Sequence, residues 1–251
     1  MMDLDAGVFA RSVWLVAEKN MRIYYYRGPV VVFGLLFPFL MFFTYFIGRN
    51  LNLIAFFPGF LAMMLFFTSS SVGPLITPWE KREKTYERLL SLPVILESII
   101  LGDITAGAIF GVVITAIVWV VSLILLHLPL TSALVLVTGF ILGAIGFAAL
   151  GTLFASMATD VPSNVMMLSS LVRLPLIFMS GIFIPLNQLR GWEFVLTSIS
   201  PLTYLVDLFH AALTNDAVYP PALDALVLVI IIVIFVLLAK AIQTRNLVKG
   251  L

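Results

Sequence analysis

The chain has no cysteine and only two histidines, His127 and His210, in 251 residues. The first absence excludes a disulfide framework, a thiol nucleophile and any cysteine-ligated metal. Charge is scarce as well: 11% of the residues are Asp, Glu, Lys or Arg, and the formal net charge is +1. Binding a phosphate backbone takes a basic patch, so this balance argues against nucleic acid as a partner. There is no H-E-x-x-H, no G-x-S-x-G elbow and no Walker A loop. No catalytic, cofactor-binding or metal site is therefore expected, and no nucleotide site of the P-loop kind. No cleavable signal peptide is expected either. The first apolar run starts after Arg27, behind Arg11, Glu18, Lys19 and Arg22, so the first span is expected to act as its own insertion signal.

What the chain does have is hydrocarbon. Hydrophobic residues make up 62% of it, 21 residues are Phe, and the mean hydropathy is +1.14. One soluble core of this size could not hide so much apolar surface. The apolar runs are too long for core helices, and they are continuous where a membrane barrel would alternate. The fold expected is all-α and integral to the membrane, one transmembrane domain over residues 1–251. Charges, prolines and the His127-Leu128-Pro129 turn mark six spans, at about 29–47, 54–77, 104–126, 132–157, 164–184 and 222–242. About 20 helical residues cross a hydrocarbon core of ~30 Å.

Lys and Arg give the direction. With the N-terminus inside, Arg11, Lys19, Arg22, Arg27, Lys81, Arg82, Lys84, Arg88, Lys240, Arg245 and Lys249 are cytoplasmic, and only Arg49 and Arg190 lie outside. Both termini are expected in the cytoplasm of a multi-pass cell-membrane protein. Three further segments are helical without spanning. Residues 8–26 mix apolar positions with charge, Trp14 and Tyr24-Tyr25-Tyr26, the pattern of an interfacial helix. Residues 190–214 form an outer hairpin, re-entrant or interfacial, broken at Ser200-Pro201 and carrying Tyr204, Asp207 and His210 at the outer gate. Residues 79–91 form a charged helix on the cytoplasmic side.

Small residues predict close packing. Gly107 and Gly111 form a GxxxG in the third span, and Gly139 and Gly143 another in the fourth. Such faces let backbones approach within one chain or between subunits. Arg173 stands inside the fifth span, where a charge is costly. It is expected to face a hydrated cavity or an acidic partner, Asp103 or Asp160 being candidates, or else to snorkel to the interface.

The charged helix holds the densest polarity in the chain. Arg82, Glu83, Lys84, Tyr86, Glu87 and Arg88 crowd together, with Glu80 and Lys84 at i,i+4. Trp79, Arg82, Glu83, Tyr86 and Leu90 share one face at helical spacing, a mix that suits a docking surface more than lipid. The plain alternative is a solvated loop that fixes topology.

Arg82-Glu83-Lys84-Thr85-Tyr86-Glu87-Arg88-Leu89-Leu90-Ser91-Leu92-Pro93-Val94 resembles the coupling-helix segment of type-2 ATP-binding-cassette exporter permeases. Ser200-Pro201-Leu202-Thr203-Tyr204-Leu205-Val206-Asp207-Leu208-Phe209 resembles the family's segment before the last span. Ser180-Gly181-Ile182-Phe183-Ile184-Pro185-Leu186 resembles its span-five exit. Lys84 stands where many members have Gly. The resemblance implies a half-transporter: two copies, or this chain and a related permease, around a central path. Each would hold a separate nucleotide-binding ATPase subunit that carries the ATP and magnesium. Residues 82–84 and 86–88 would couple that subunit to the spans, and the cargo would be an amphipathic drug, a lipid or a glycan. Residues alone leave open a stand-alone six-span channel or membrane enzyme.

Overall fold

Proline and glycine cut the apolar sequence into helices of very different length. The structure, a computed structural model, describes residues 6–25, 28, 32–46, 53–91, 94–157 and 161–248. Tyr26, Arg27, Arg49, Leu92, Pro93, Asp160 and Lys249 lie outside the described residues. Among the described residues every regular element is helical. Helix α1 is Ala6–Tyr24, and a π-turn at Val32–Leu36 leads into α2, Phe37–Phe46. Then come α3 (Leu53–Ser70), α4 (Gly73–Arg82), α5 (Thr85–Leu90), α6 (Leu96–Leu126), α7 (Ala133–Ala155) and α8 (Pro162–Phe178). After a 3-10 turn at Leu186–Gln188 follow α9 (Trp192–Ile199), α10 (Pro201–Leu213) and α11 (Pro221–Val248).

Four stretches are long and apolar enough to cross a membrane: Leu53–Arg82, Leu96–Leu125, Ala133–Ala155 and Pro221–Val248. The count is five if α9 and α10, bent by 96° at Ser200, make one broken span. Several boundaries differ from the sequence reading. The second span does not stop at Pro78: it bends at Ser71-Val72, and α4 carries the helix through Pro78 to Arg82. Gly73 and Pro74 open α4, where a missing N–H costs least. The fifth apolar run is helical only to Phe178, because Pro175 disrupts the last turn and Gly181, at φ 78°, redirects the chain.

The centre of the bundle is the α3–α4 rod. Its apolar window is 78% buried, against 11% for that of α11. Helices α6, α7 and α10 pack around α3, while α7 and α8 flank α4; α1 lies along α6, and α11 covers α7 and α10. The least apolar of the four spans is thus the innermost and the most apolar the outermost. Lipid is as good a solvent for Leu and Val as the protein is, so burial in a membrane follows packing and polarity. Thr68, Ser69, Ser70 and Ser71 are all buried, and Thr68 Oγ1 donates to the Met64 carbonyl at 2.7 Å.

Glycines bring the neighbours close. A Cβ on Gly107 would stand 2.8 Å from the Ser69 carbonyl oxygen, and one on Gly73 would stand 2.9 Å from the Gly151 carbonyl carbon. Gly139 and Gly143 face Phe209 and Leu205 of α10 at 2.7 and 2.8 Å by the same measure. Both GxxxG faces are therefore used inside the chain. Phe66 meets Phe147 edge-on, with centroids 4.7 Å apart.

Candidate functional site

The α3–α4 rod delivers the charged segment to one end of the bundle. That segment is not one helix. Helix α4 ends at Arg82, Lys84 takes a left-handed conformation at φ 55°, and α5 restarts at Thr85. Thr85 Oγ1 donates back to the Glu80 carbonyl at 3.2 Å. The elbow dissolves the shared face read from helical spacing. Arg82, Glu83, Lys84, Glu87 and Arg88 are exposed, while Tyr86 is only 5% exposed. Tyr86 therefore anchors the elbow and presents no free surface. Burial first, then the carboxylates of Asp103 and Glu80, push its hydroxyl up to about 12. It faces a small gap lined by Thr77, Lys81, Ser156 and Gln243.

The i,i+4 partner expected for Glu80 is also replaced. Glu80 is 3% exposed and pairs with Lys19 of α1. Tyr24 Oη reaches the same carboxylate at 3.4 Å, and the Tyr24 ring stacks on Trp79 with centroids 5.6 Å apart. Next to this pair, Asn20 Nδ2 donates to Asp103 Oδ1 of α6 at 2.6 Å. Helix α1 thus reaches this end by burying Val16, Ala17, Asn20 and Tyr24 on α6, with Gly102 making room for Val16. Its opposite face exposes Trp14 and Leu15.

Arg173 is buried at 3% exposure, so it does not snorkel. Among the described residues its hydrogen-bond partner is a backbone carbonyl, that of Ser70; Asp160, the other acid considered, lies outside them. Sequence explains the carbonyl: its helical donor would be the N–H of residue 74, and residue 74 is proline. The guanidinium replaces that donor and ties α8 to the bend of the rod. Asp103, one of the acids considered for Arg173, belongs to Asn20 instead.

The hairpin occupies the other end, beside the start of α3. Pro201 opens α10 after the bend. Tyr204 Oη donates to the Ser198 carbonyl at 2.8 Å, and its ring stacks on Tyr219. Asp207 accepts from the backbone N–H of Val218 at 2.9 Å and of Tyr219 at 2.7 Å, fixing the turn into α11. His210 Nδ1 lies 3.4 Å from Thr214 Oγ1. Asp207 and His210 line a cleft of about 360 Å³ shared with Ile54, Asn187, Gln188 and Asp216. The α6–α7 turn docks here too, Thr131 N–H donating to the Ala212 carbonyl at 2.8 Å.

Sequence reasoning missed Lys19, Asn20 and Tyr219, whose partners are remote in the chain. It also missed Asp224, fully buried in the first turn of α11 with neither carboxylate oxygen hydrogen-bonded among the described residues. Among the described residues no group of three His, Asp or Glu could hold a metal ion.

The site is thus an exposed mixed-charge elbow on the end of the most buried rod, opposite a self-bonded hairpin. No curated protein matches the sequence. The family model described as ABC-2 type transporter matches residues 11–214, from α1 through the elbow to the end of the hairpin. The chain therefore belongs to the ABC-2 type transporter family of membrane permeases.

Proposed function

We propose that the chain is the permease subunit of an ATP-driven exporter in the cell membrane. Arg82, Glu83, Lys84, Glu87 and Arg88 form the docking surface for a separate ATPase subunit, which carries the ATP and magnesium. The observation that supports this most is the exposure of five charges at an elbow whose two sides are anchored. Glu80 is held by α1 and Tyr86 is buried against the bundle end. A force applied to the elbow reaches α4, and α4 is continuous with the rod that α6, α7, α8 and α10 embrace.

In this reading the six spans are the four long stretches, α8, and the π-turn with α2. The termini and the elbow are cytoplasmic, and the α9–α10 hairpin closes the outer side. Two copies, or this chain and a related permease, enclose the path. The cargo is an amphipathic drug, a lipid or a glycan. Affinity purification of the intact chain from its native membrane tests the reading. A nucleotide-binding subunit should co-purify in stoichiometric amount. Ion conduction by the purified chain without any ATPase would instead establish a stand-alone channel. Reporter fusions at the C-terminal end and in the 127–132 turn should report opposite sides.

A further inference from the structure

Beneath the elbow lies a charge imbalance that the docking reading does not use. Lys19, Glu80 and Asp103 meet where α1, α4 and α6 converge. Lys19 pairs with Glu80, and among the described residues no cation lies within ion-pair distance of Asp103. Asp103 is 2% exposed, and among the described residues its hydrogen-bond partner is the neutral amide of Asn20. An isolated buried carboxylate is costly, and more so next to a second one. The other half of the amide carries a matching defect. Asn20 is fully buried, and its Oδ1 accepts no hydrogen bond among the described residues. One atom is short of a donor beside a carboxyl that has charge to lose.

We propose that Asp103 is a proton-binding site, and that the neutral acid and Asn20 lock α1 onto α6 through two hydrogen bonds. Nδ2–H of Asn20 donates to one carboxyl oxygen, and the acid's O–H donates back to Asn20 Oδ1. The proton comes from solvent on the side of the elbow and returns there. No other bond changes. The remaining groups facing Asp103 do not supply this proton. Lys19 and Glu80 neutralise each other, and Tyr25 and Tyr86 are held protonated, since burial pushes both hydroxyls up.

Loss of the proton removes the bond to Asn20 Oδ1 and sets two carboxylates against one lysine. Helix α1 then loosens from the site where it also grips Glu80 and Trp79. Proton occupancy at Asp103 thereby sets how firmly α1 holds the elbow. That consequence rests on the docking reading; the proton site itself does not.

Spin labels test it in the full chain in lipid nanodiscs, without any ATPase. The cysteine-free sequence permits labels at Leu15→Cys on α1 and Ser91→Cys after α5. Over roughly pH 5 to 9, where a buried carboxyl can titrate, the distance distribution should pass from one narrow population to a broad one. Asp103→Asn, a permanent neutral amide, should keep the narrow population throughout. Infrared difference spectra provide a second reading. A protonated-carboxyl band that Asp103→Asn removes should be present at low pH in the wild type and in Glu80→Gln, and should move to higher frequency in Asn20→Leu, which takes away the hydrogen bonds and leaves the acid buried. A distribution independent of pH in the wild type would overturn the proposal, as would carboxyl bands identical in the wild type and Asp103→Asn. Because every readout omits the ATPase, failure here leaves the docking reading standing, and failure of docking leaves the proton site standing.

Discussion

The two ends of the bundle are held by different kinds of bond. At the elbow end, the ties join separate helices through side chains: Lys19 to Glu80, Asn20 to Asp103, Tyr24 on Trp79. Partners there stand 61 and 83 positions apart in the chain. At the hairpin end, side chains bond to nearby backbone. Thr203 Oγ1 donates to the Thr197 carbonyl at 2.6 Å, Tyr204 to Ser198, and Asp207 accepts from Val218 and Tyr219. The hairpin thus carries local ties of its own beside its docking on the spans, whereas the side-chain ties between the elbow and α1 join separate helices.

The largest expected effect is at the hairpin. Asp207→Ala leaves the N–H groups of Val218 and Tyr219 without their charged acceptor and should cost about 3 kcal/mol, read as a lowered unfolding midpoint in detergent. Asp207→Asn keeps one acceptor and should cost less. If both cost nothing, the hairpin is not held by its own turn. At the elbow, Glu80→Gln should cost about 1–2 kcal/mol, less than a fully buried pair would, because Lys19 is partly solvated. Most of that loss should disappear in a Lys19→Met background, measured as a double-mutant cycle. Additive losses would contradict a tie between α1 and α4.

Between the two ends, Pro74→Ala restores an N–H below the Ser70 carbonyl. It should reduce whatever Arg173→Met costs by about 1 kcal/mol in the same kind of cycle. The smallest effect concerns the backbone of the elbow. Lys84→Gly should stabilise by up to about 1 kcal/mol, since a side chain in the left-handed region carries a penalty that glycine lacks. A destabilised Lys84→Gly would mean that the Lys84 side chain contributes more than its backbone costs.

Part of this architecture was legible in the sequence, because length and hydropathy report directly on apolar helices: six spans were expected, and four stretches, or five with the bent pair, are long and apolar enough to cross a membrane. The cores of 54–77, 104–126, 132–157 and 222–242 fall inside the four long helical stretches. The bend at Ser200-Pro201 was legible because proline opens a helix and cannot continue one. The elbow was not. Lys, Glu and Arg are good helix formers, so 79–91 reads as one helix, and nothing local marks the left-handed turn at Lys84. The resemblance, which sets Lys84 where many members of the family have glycine, carried a signal. Burial of Tyr86 and the partners of Glu80, Asp103 and Arg173 were illegible for a common reason: each is decided by a residue on another helix. Arg173 is the instructive case. Its charge suggested an acid; among the described residues its partner is a carbonyl left over by a proline, and Asp160 lies outside them.

If the elbow is where an ATPase docks, its exposed carboxylates are where the decisive measurement is made. Glu83→Lys with Glu87→Lys alters two exposed side chains that make no hydrogen bond or ion pair among the described residues, so insertion and abundance should be unchanged. Binding of the proposed ATPase subunit, assayed by pull-down, should fall at least tenfold, or its hydrolysis should continue without export. Full ATPase binding with full export in the double variant would contradict the account and leave the elbow as a solvated turn that only fixes topology.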